Sequence, residues 1–262
     1  MDFHLSEWLN LVARWVHVFA GILWVGQTYY FTWLDGRLNE EENVWMVHSG
    51  GFYSVEKKPS PKIDPARLHW FRWEAALTWL SGAVLLVLVY YHGGMMVDAD
   101  VADISAGRAA IIGVAAIALA WVVYDLLWLS PLGKSETLGA VISFVLLVGA
   151  SYALVHLLSG RAAYMHIGAM MGTIMAANVW MRILPAQRRL VAALAAGTPP
   201  DVALAARAKS RSKHNTFMAV PVVLIMISNH FPTATYGSRY NWIVLSVLVL
   251  LGWAAAKLIR RA

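Results

Sequence analysis

The chain has 262 residues and not one cysteine. That absence excludes disulfides, iron–sulfur clusters, thiolate metal sites and the covalent Cys-x-x-Cys-His attachment of a c-type haem. A redox centre held by this chain is therefore held by histidine or methionine. Charge is scarce too: 14% of residues are charged against 59% hydrophobic, and mean hydropathy is +0.57. So few charges exclude a soluble domain of ordinary composition. No internal repeat stands out, so the sequence lacks the signature of a duplicated transporter. A signal peptide is excluded as well, because the first apolar run is too long and no small-residue cleavage site follows it.

What the chain does have is apolar runs about as long as a bilayer is thick. Seven can be read: Trp8–Leu34, Trp70–Tyr91, Ala109–Leu129, Thr137–Leu158, Tyr164–Leu184, Asn215–Phe231 and Tyr240–Ile259. The sixth is short and contains Pro221. The expected fold is an all-α polytopic bundle of about seven transmembrane helices, one domain over residues 1–262. Larger interruptions fall at 35–69 and 185–214, the second expected to form one or two short surface helices. The net charge of +6 raises nucleic acid as a partner, and the placement of the charges removes it. With the N-terminus outside, 17 of the 21 basic residues fall on the cytoplasmic side and 4 outside, which is the positive-inside pattern. The bilayer accounts for the basicity, and the expected orientation is N-out, C-in.

Polar side chains are costly in hydrocarbon, about 2.5–3.5 kcal/mol for a central Asp or Arg, so those that remain should face the bundle interior. By depth they form two groups. Gln27, His69, Glu74, Asp125, Asn178, His214 and Asn215 lie toward the inner side, with Arg182 one turn from Asn178. His17, His166 and His230 share an outer level. In the connection "NVWMVHSGGFYSVEKKP", His48, Gly50, Gly51, Phe52, Tyr53, Lys57 and Lys58 are more than a plain link between helices requires. Gly168 and Gly172 have the spacing of a close helix–helix contact.

Five blocks, "ARWVHVFAGILWVGQTYYF", "WMVHSGGFYSVEK", "LHWFRWEAALTWLSG", "GTIMAANVWMRILPAQ" and "SKHNTFMAVPVVLIMISNHFP", together resemble the membrane domain of the bacterial cytochrome-c-linked urate oxidases. They run in order from Arg14 to Pro232. The first block is also similar to the first helix of haem-binding membrane oxidases, where a histidine at the position of His17 matters. The resemblance implies oxidation of urate to 5-hydroxyisourate in the bacterial inner membrane, with electrons passing through a b-type haem to a c-type cytochrome. This sequence ends at "KLIRRA" without a Cys-x-x-Cys-His, so the expected acceptor is a separate cytochrome c or similar partner.

Under that resemblance the connection reads as a lid. Gly50 and Gly51 would offer two backbone amides to an anion, Phe52 and Tyr53 would stack on a purine, and Asn178, His214 and Asn215 would complete the substrate cavity. Glu74, His69 and His48 are the expected proton-handling residues. For the haem, His17 and His166 are the expected metal ligands, with Gly21 and Gly168 leaving room for the macrocycle, Arg14 facing a propionate, and His230, Met165 or Met170 in reserve. An electron-relay cytochrome b subunit, or a transporter for an anionic heterocycle, are the other functions this pattern allows.

Overall fold

The computed structural model describes residues 4–59, 61–62 and 64–260; Arg261, counted above among the inner basic residues, lies outside them. The fold is all-α with one small hairpin. Helix α1 (Leu5–Arg37) is followed by strands β1 (Asn43–His48) and β2 (Gly51–Glu56). Helix α2 (Trp73–Leu85) runs on into a π-helical turn, Leu86–Tyr91. Helices α3 (Ala106–Leu129) and α4 (Glu136–Val155) come next. Helix α5 (Gly160–Ala177) continues through a second π-helical turn, Asn178–Ile183, into α6 (Leu184–Ala195). The chain closes with α7 (Val202–Ile227) and α8 (Asn241–Ile259).

Helix starts are written locally. Ser105, Ser135, Ser159 and Asp201 each accept a hydrogen bond from a backbone N–H in the first turn of α3, α4, α5 and α7, satisfying donors that have no partner inside the helix.

Among the described residues six helices, counting α5–α6 as one, are long and apolar enough to cross a membrane. The chain is thus a multi-pass membrane protein with its largest apolar faces turned outward, as a lipid solvent allows. The expected sixth span, Asn215–Phe231, does not stand alone as a helix. It is the apolar second half of α7, whose first half carries Arg207, Lys209, Arg211 and Lys213, so the helix as a whole is too polar to be counted with the six. It packs along both α5 and α8 and so runs through the bundle at their depth. The expected short surface helices of 185–214 are instead α6, continuous with α5, and the polar half of α7.

Polar contacts sort into two levels. At one end of the bundle Ser159 Oγ donates to the Met95 carbonyl (2.7 Å) and Arg161 Nε to Asn229 Oδ1 (3.0 Å). At the other, Lys213 Nζ meets Glu136 (2.6 Å) and Lys209 Nζ meets Asp35 (3.3 Å). The second level is the one rich in basic residues, and the positive-inside pattern makes it the cytoplasmic side. A single cysteine placed at Glu42, in the exposed turn after α1, should therefore react only with reagent supplied from inside. Labelling in intact cells by an impermeant reagent would reverse the orientation.

Between helices, close packing rests on small residues rather than on hydrophobic burial. A Cβ on Gly252 of α8 would stand 2.8 Å from the ring and backbone nitrogen of Pro221 in α7. One on Gly168 would stand 3.0 Å from Ile225, whereas Gly172 has open space. The Gly168/Gly172 spacing thus makes a contact at its first glycine only.

The hairpin explains the paired glycines of the connection. His48 faces Gly51 across the ladder, leaving Ser49 (φ +50°) and Gly50 (φ +77°) as the two turn residues. Positive φ at both positions is the type I′ turn that matches strand twist, and glycine meets it without strain.

Candidate functional site

Three helices deliver polar side chains to one place near the inner end of the bundle. α3 brings Tyr124 and Asp125 in its last turns, the π-helical turn after α5 brings Asn178 and Arg182, and α7 brings Arg211, His214 and Asn215. A π-helical turn widens the helix and re-aims its side chains, and such turns concentrate at functional sites. Asp125 binds two guanidiniums. Arg182 Nε and Arg211 Nη2 each lie 2.9 Å from Oδ1, and Arg182 Nη2 contacts Oδ2. Two cations on one carboxylate leave the cluster with an excess positive charge, and Arg211 is only 5% exposed. The Arg211 guanidinium also lies 4.9 Å above the Tyr124 ring, a favourable cation–π geometry.

A hydrogen-bond chain runs beside this triad. Asn178 Nδ2 donates to Tyr124 Oη (2.9 Å) and to Asn215 Oδ1 (3.0 Å). Asn215 Nδ2 donates to the Met175 carbonyl at 3.0 Å. Tyr124 Oη lies 2.7 Å from His214 Nδ1, and the Trp128 ring lies 4.0 Å from the His214 ring. Two buried atoms of the cluster have no partner among the described residues, the acceptor Asn178 Oδ1 and the donor Arg211 Nη1. Unpaired buried polar atoms cost about 1–3 kcal/mol each, so their persistence in the interior asks for a function.

Of the inner residues expected from sequence, Asp125, Asn178, Arg182, His214 and Asn215 converge here. Gln27, Glu74, His69 and the hairpin residues do not join them. Glu74 accepts from Gln27 Nε2 (3.0 Å) in the seam between α1 and α2. His69 is exposed and meets Phe71 edge-on at 4.5 Å. His48 and Tyr53 border a separate pocket of about 610 Å³ against Tyr30 and Trp33. Gly50 and Gly51 shape the hairpin turn, Phe52 is 78% exposed, Lys57 pairs with Asp35 and Lys58 with Glu56. The hairpin is anchored to the end of α1, and no hydrogen bond or ion pair among the described residues joins it to the core cluster.

The expected haem residues are likewise dispersed. His17 Nδ1 lies 2.9 Å from the Thr78 carbonyl and 3.2 Å from Ser81 Oγ, and its ring covers Gly82. His166 is fully buried, with Nδ1 2.7 Å from the Ala162 carbonyl, Nε2 3.1 Å from Tyr91 Oη, and its ring pressed on Gly113. Along α2 these two anchorages, Gly82 and Tyr91, are nine residues or about 13 Å apart. An axial ligand needs a ring nitrogen open to the iron, whereas His166 Nε2 meets Tyr91 Oη and its ring is packed on Gly113. Gly21 lies under Thr78 and Gly168 under Ile225. Arg14 Nε donates to Asn10, and His230 is exposed. As placed, this set does not fit a porphyrin held between His17 and His166, and no step below passes through one.

Tyr124 and Arg211 belong to the site but were not read from the sequence. Arg211 sits in a basic run, "RAKSRSK", that the positive-inside pattern absorbs whole. The signal available was its helical register: Arg211, His214 and Asn215 share one face at spacings of three and four. Tyr124 gave no signal apart from its neighbour Asp125.

Tyr124, Trp128 and His214 also form part of the wall of a cavity of about 1070 Å³ among α3, α4, α5, α7 and α8. Fold and site together define a multi-pass membrane protein with a buried, cation-rich hydrogen-bonding centre near one face and a large apolar cavity beside it. A sequence profile described as urate oxidase, N-terminal, matches residues 3–261, and the chain belongs to that family. At family level this is a urate-oxidase-related oxidoreductase. No curated protein and no solved structure matches the chain.

Proposed function

We propose that this protein oxidises urate, or a closely related flat anionic oxopurine, at the Tyr124–Asn178–Arg211–His214 cluster and passes the electrons to a separate acceptor. The observation that carries the reading is the unpartnered pair Asn178 Oδ1 and Arg211 Nη1 inside a cluster of net positive charge, in a chain of the urate oxidase N-terminal family. An oxopurine presents alternating N–H and C=O groups and carries a negative charge, chemistry complementary to a buried acceptor, a buried donor and an excess cation. Arg182, the more exposed of the two arginines, stands on the inner side, where a water-soluble substrate approaches.

Forming 5-hydroxyisourate adds one water to urate and removes two electrons and two protons, so a proton acceptor beside the ring is needed. His214 suits that role. Tyr124 holds Nδ1, and Nε2 has only a long contact to Ser210 (3.4 Å). The acceptor in this reading is a c-type cytochrome or another separate carrier, and the location is the bacterial cytoplasmic membrane.

The test is urate consumption by purified protein supplied with an artificial electron acceptor. Arg211→Lys keeps the charge but loses the planar fork, so KM for urate should rise about 10- to 100-fold, the worth of one hydrogen bond to a charged group. Unchanged kinetics in that variant would remove the cluster as the binding site. Urate accumulation in vesicles with no oxidation would replace the enzyme by a transporter.

A further inference from the structure

We propose that the cavity between α3 and α4 binds a membrane quinone, and that this quinone accepts the electrons taken from the purine. The binding half stands on the cavity alone; the electron-acceptor half rests on the urate-oxidation reading above.

The cavity's shape comes from its walls. α3 and α4 are successive in sequence but touch little, so they part over a floor made by α5, α7 and α8, and the opening between them faces lipid. Its wall runs along α4 from Glu136 to Leu154, 18 residues or about 27 Å at the helical rise. That is a long channel, about as long as the hydrocarbon core is thick. Almost the whole lining is apolar. The charged and titratable groups, Tyr124, Glu136, Lys213, His214 and Lys257, gather at the inner end. A small polar head joined to a long hydrocarbon tail fits that gradient.

The wall also specifies what kind of head. Trp128 and Trp253 both form part of it, and both indole N–H groups are shielded from solvent without an acceptor among the described residues. Each such donor costs about 1–3 kcal/mol until something accepts from it. Trp128 lies over Gly139 and Trp253 packs on Phe144, five residues or about 7 Å apart along α4. A quinone ring carries two carbonyl oxygens at opposite ends and no donor, so it matches two separated donors.

The cavity shares a wall with the purine site. His214 borders the cavity and is held by Tyr124, which in turn accepts from Asn178. The reaction closes without another oxidant: urate and water lose two electrons and two protons to give 5-hydroxyisourate, and the quinone takes two electrons and two protons to give the quinol.

The experiment uses the full chain in nanodiscs, with decylubiquinone as the probe. Organic extraction of wild-type protein should release a quinone in amounts near one per chain, and added decylubiquinone should bind saturably. Trp253→Phe, which keeps an aromatic ring but removes the N–H, should weaken binding about 10-fold, the worth of one hydrogen bond. Ala140→Trp, which fills the channel from α4, should abolish it while the protein remains monodisperse. Extraction of phospholipid or haem only, or binding indifferent to Ala140→Trp, would overturn the site. With binding established, urate should drive quinol formation. If urate is oxidised with an artificial acceptor but never reduces bound quinone, the acceptor half fails. If quinone binds but urate is not oxidised with quinone or with any artificial acceptor, the urate reading fails and the quinone site stands.

Discussion

Replacing Asp125 by alanine should remove most of the folded protein. Asp125 is the shared counter-ion of Arg182 and Arg211, and neither arginine pairs with any other carboxylate among the described residues. Arg211 is the decisive partner because its side chain is nearly inaccessible, at 6%, whereas that of Arg182 is 39% exposed. Breaking a buried pair by removing one member costs about 3–5 kcal/mol, since the remaining charge is left without compensation. A loss of that size is a large share of a typical domain's stability. Arg182→Ala should cost much less, about 1 kcal/mol or below, as expected where a partner reaches water. The measurement is the monodisperse fraction after detergent extraction, followed by thermal unfolding. Adding Arg211→Met to Asp125→Ala removes the uncompensated charge and should recover most of the loss. If Asp125→Ala alone melts like the wild type, the triad does not hold α3 to α7.

How much of this was legible in the sequence follows from the period and length of its patterns. Bilayer-length apolar runs are written in composition alone, so most spans could be read directly. The boundary that failed, at α7, failed because one continuous helix changes surroundings halfway: "ARAKSRSKHN" lies toward the inner side and "TFMAVPVVLIMI" lies at bilayer depth, packed on α5 and α8. Depth along each helix was also legible, and it placed Asn178, His214 and Asn215 at one level. Depth does not say which way a side chain turns about the helix axis. Glu74 and His69 share that level, yet Glu74 is turned into the α1–α2 seam and His69 onto Phe71. The π-helical turn at Asn178–Ile183 shifts register by one residue, which no 3.6-residue period anticipates. His17 packs against Gly82 and His166 against Tyr91, nine residues further along, so the common level read from their places in the sequence is not the level of their contacts. The hairpin had a legible local cause, Ser49–Gly50 between alternating residues, but two adjacent glycines beside aromatics read equally well as an anion-binding loop.

The choice of proton acceptor leads to the other large effect, on turnover rather than stability. His214→Ala should lower kcat for urate oxidation by about 10²- to 10⁴-fold, the usual contribution of a positioned general base, with a smaller change in KM. The imidazole is oriented from three directions. Tyr124 Oη meets Nδ1 at 2.7 Å, the Trp128 ring lies against its face, and Ser210 Oγ stands 3.4 Å from Nε2. Tyr124 Oη accepts from Asn178 Nδ2 and has a second lone pair for an Nδ1–H of His214 at 2.7 Å; that tautomer leaves Nε2 unprotonated and able to take a proton from substrate. Tyr124→Phe removes that orientation without removing the base, so it should cost about 10-fold, near the net worth of one hydrogen bond. Glu74→Gln separates this assignment from a carboxylate base in the α1–α2 seam. Glutamine still accepts from Gln27, so the seam is kept while the charge is lost, and turnover should stay within about 2-fold of wild type because Glu74 joins no part of the core network. Added imidazole should restore part of the rate to His214→Ala by occupying the space the side chain leaves, which a variant that had merely misfolded could not show. Normal turnover in His214→Ala together with a collapse in Glu74→Gln would move the chemistry out of the core cluster and into the seam between α1 and α2.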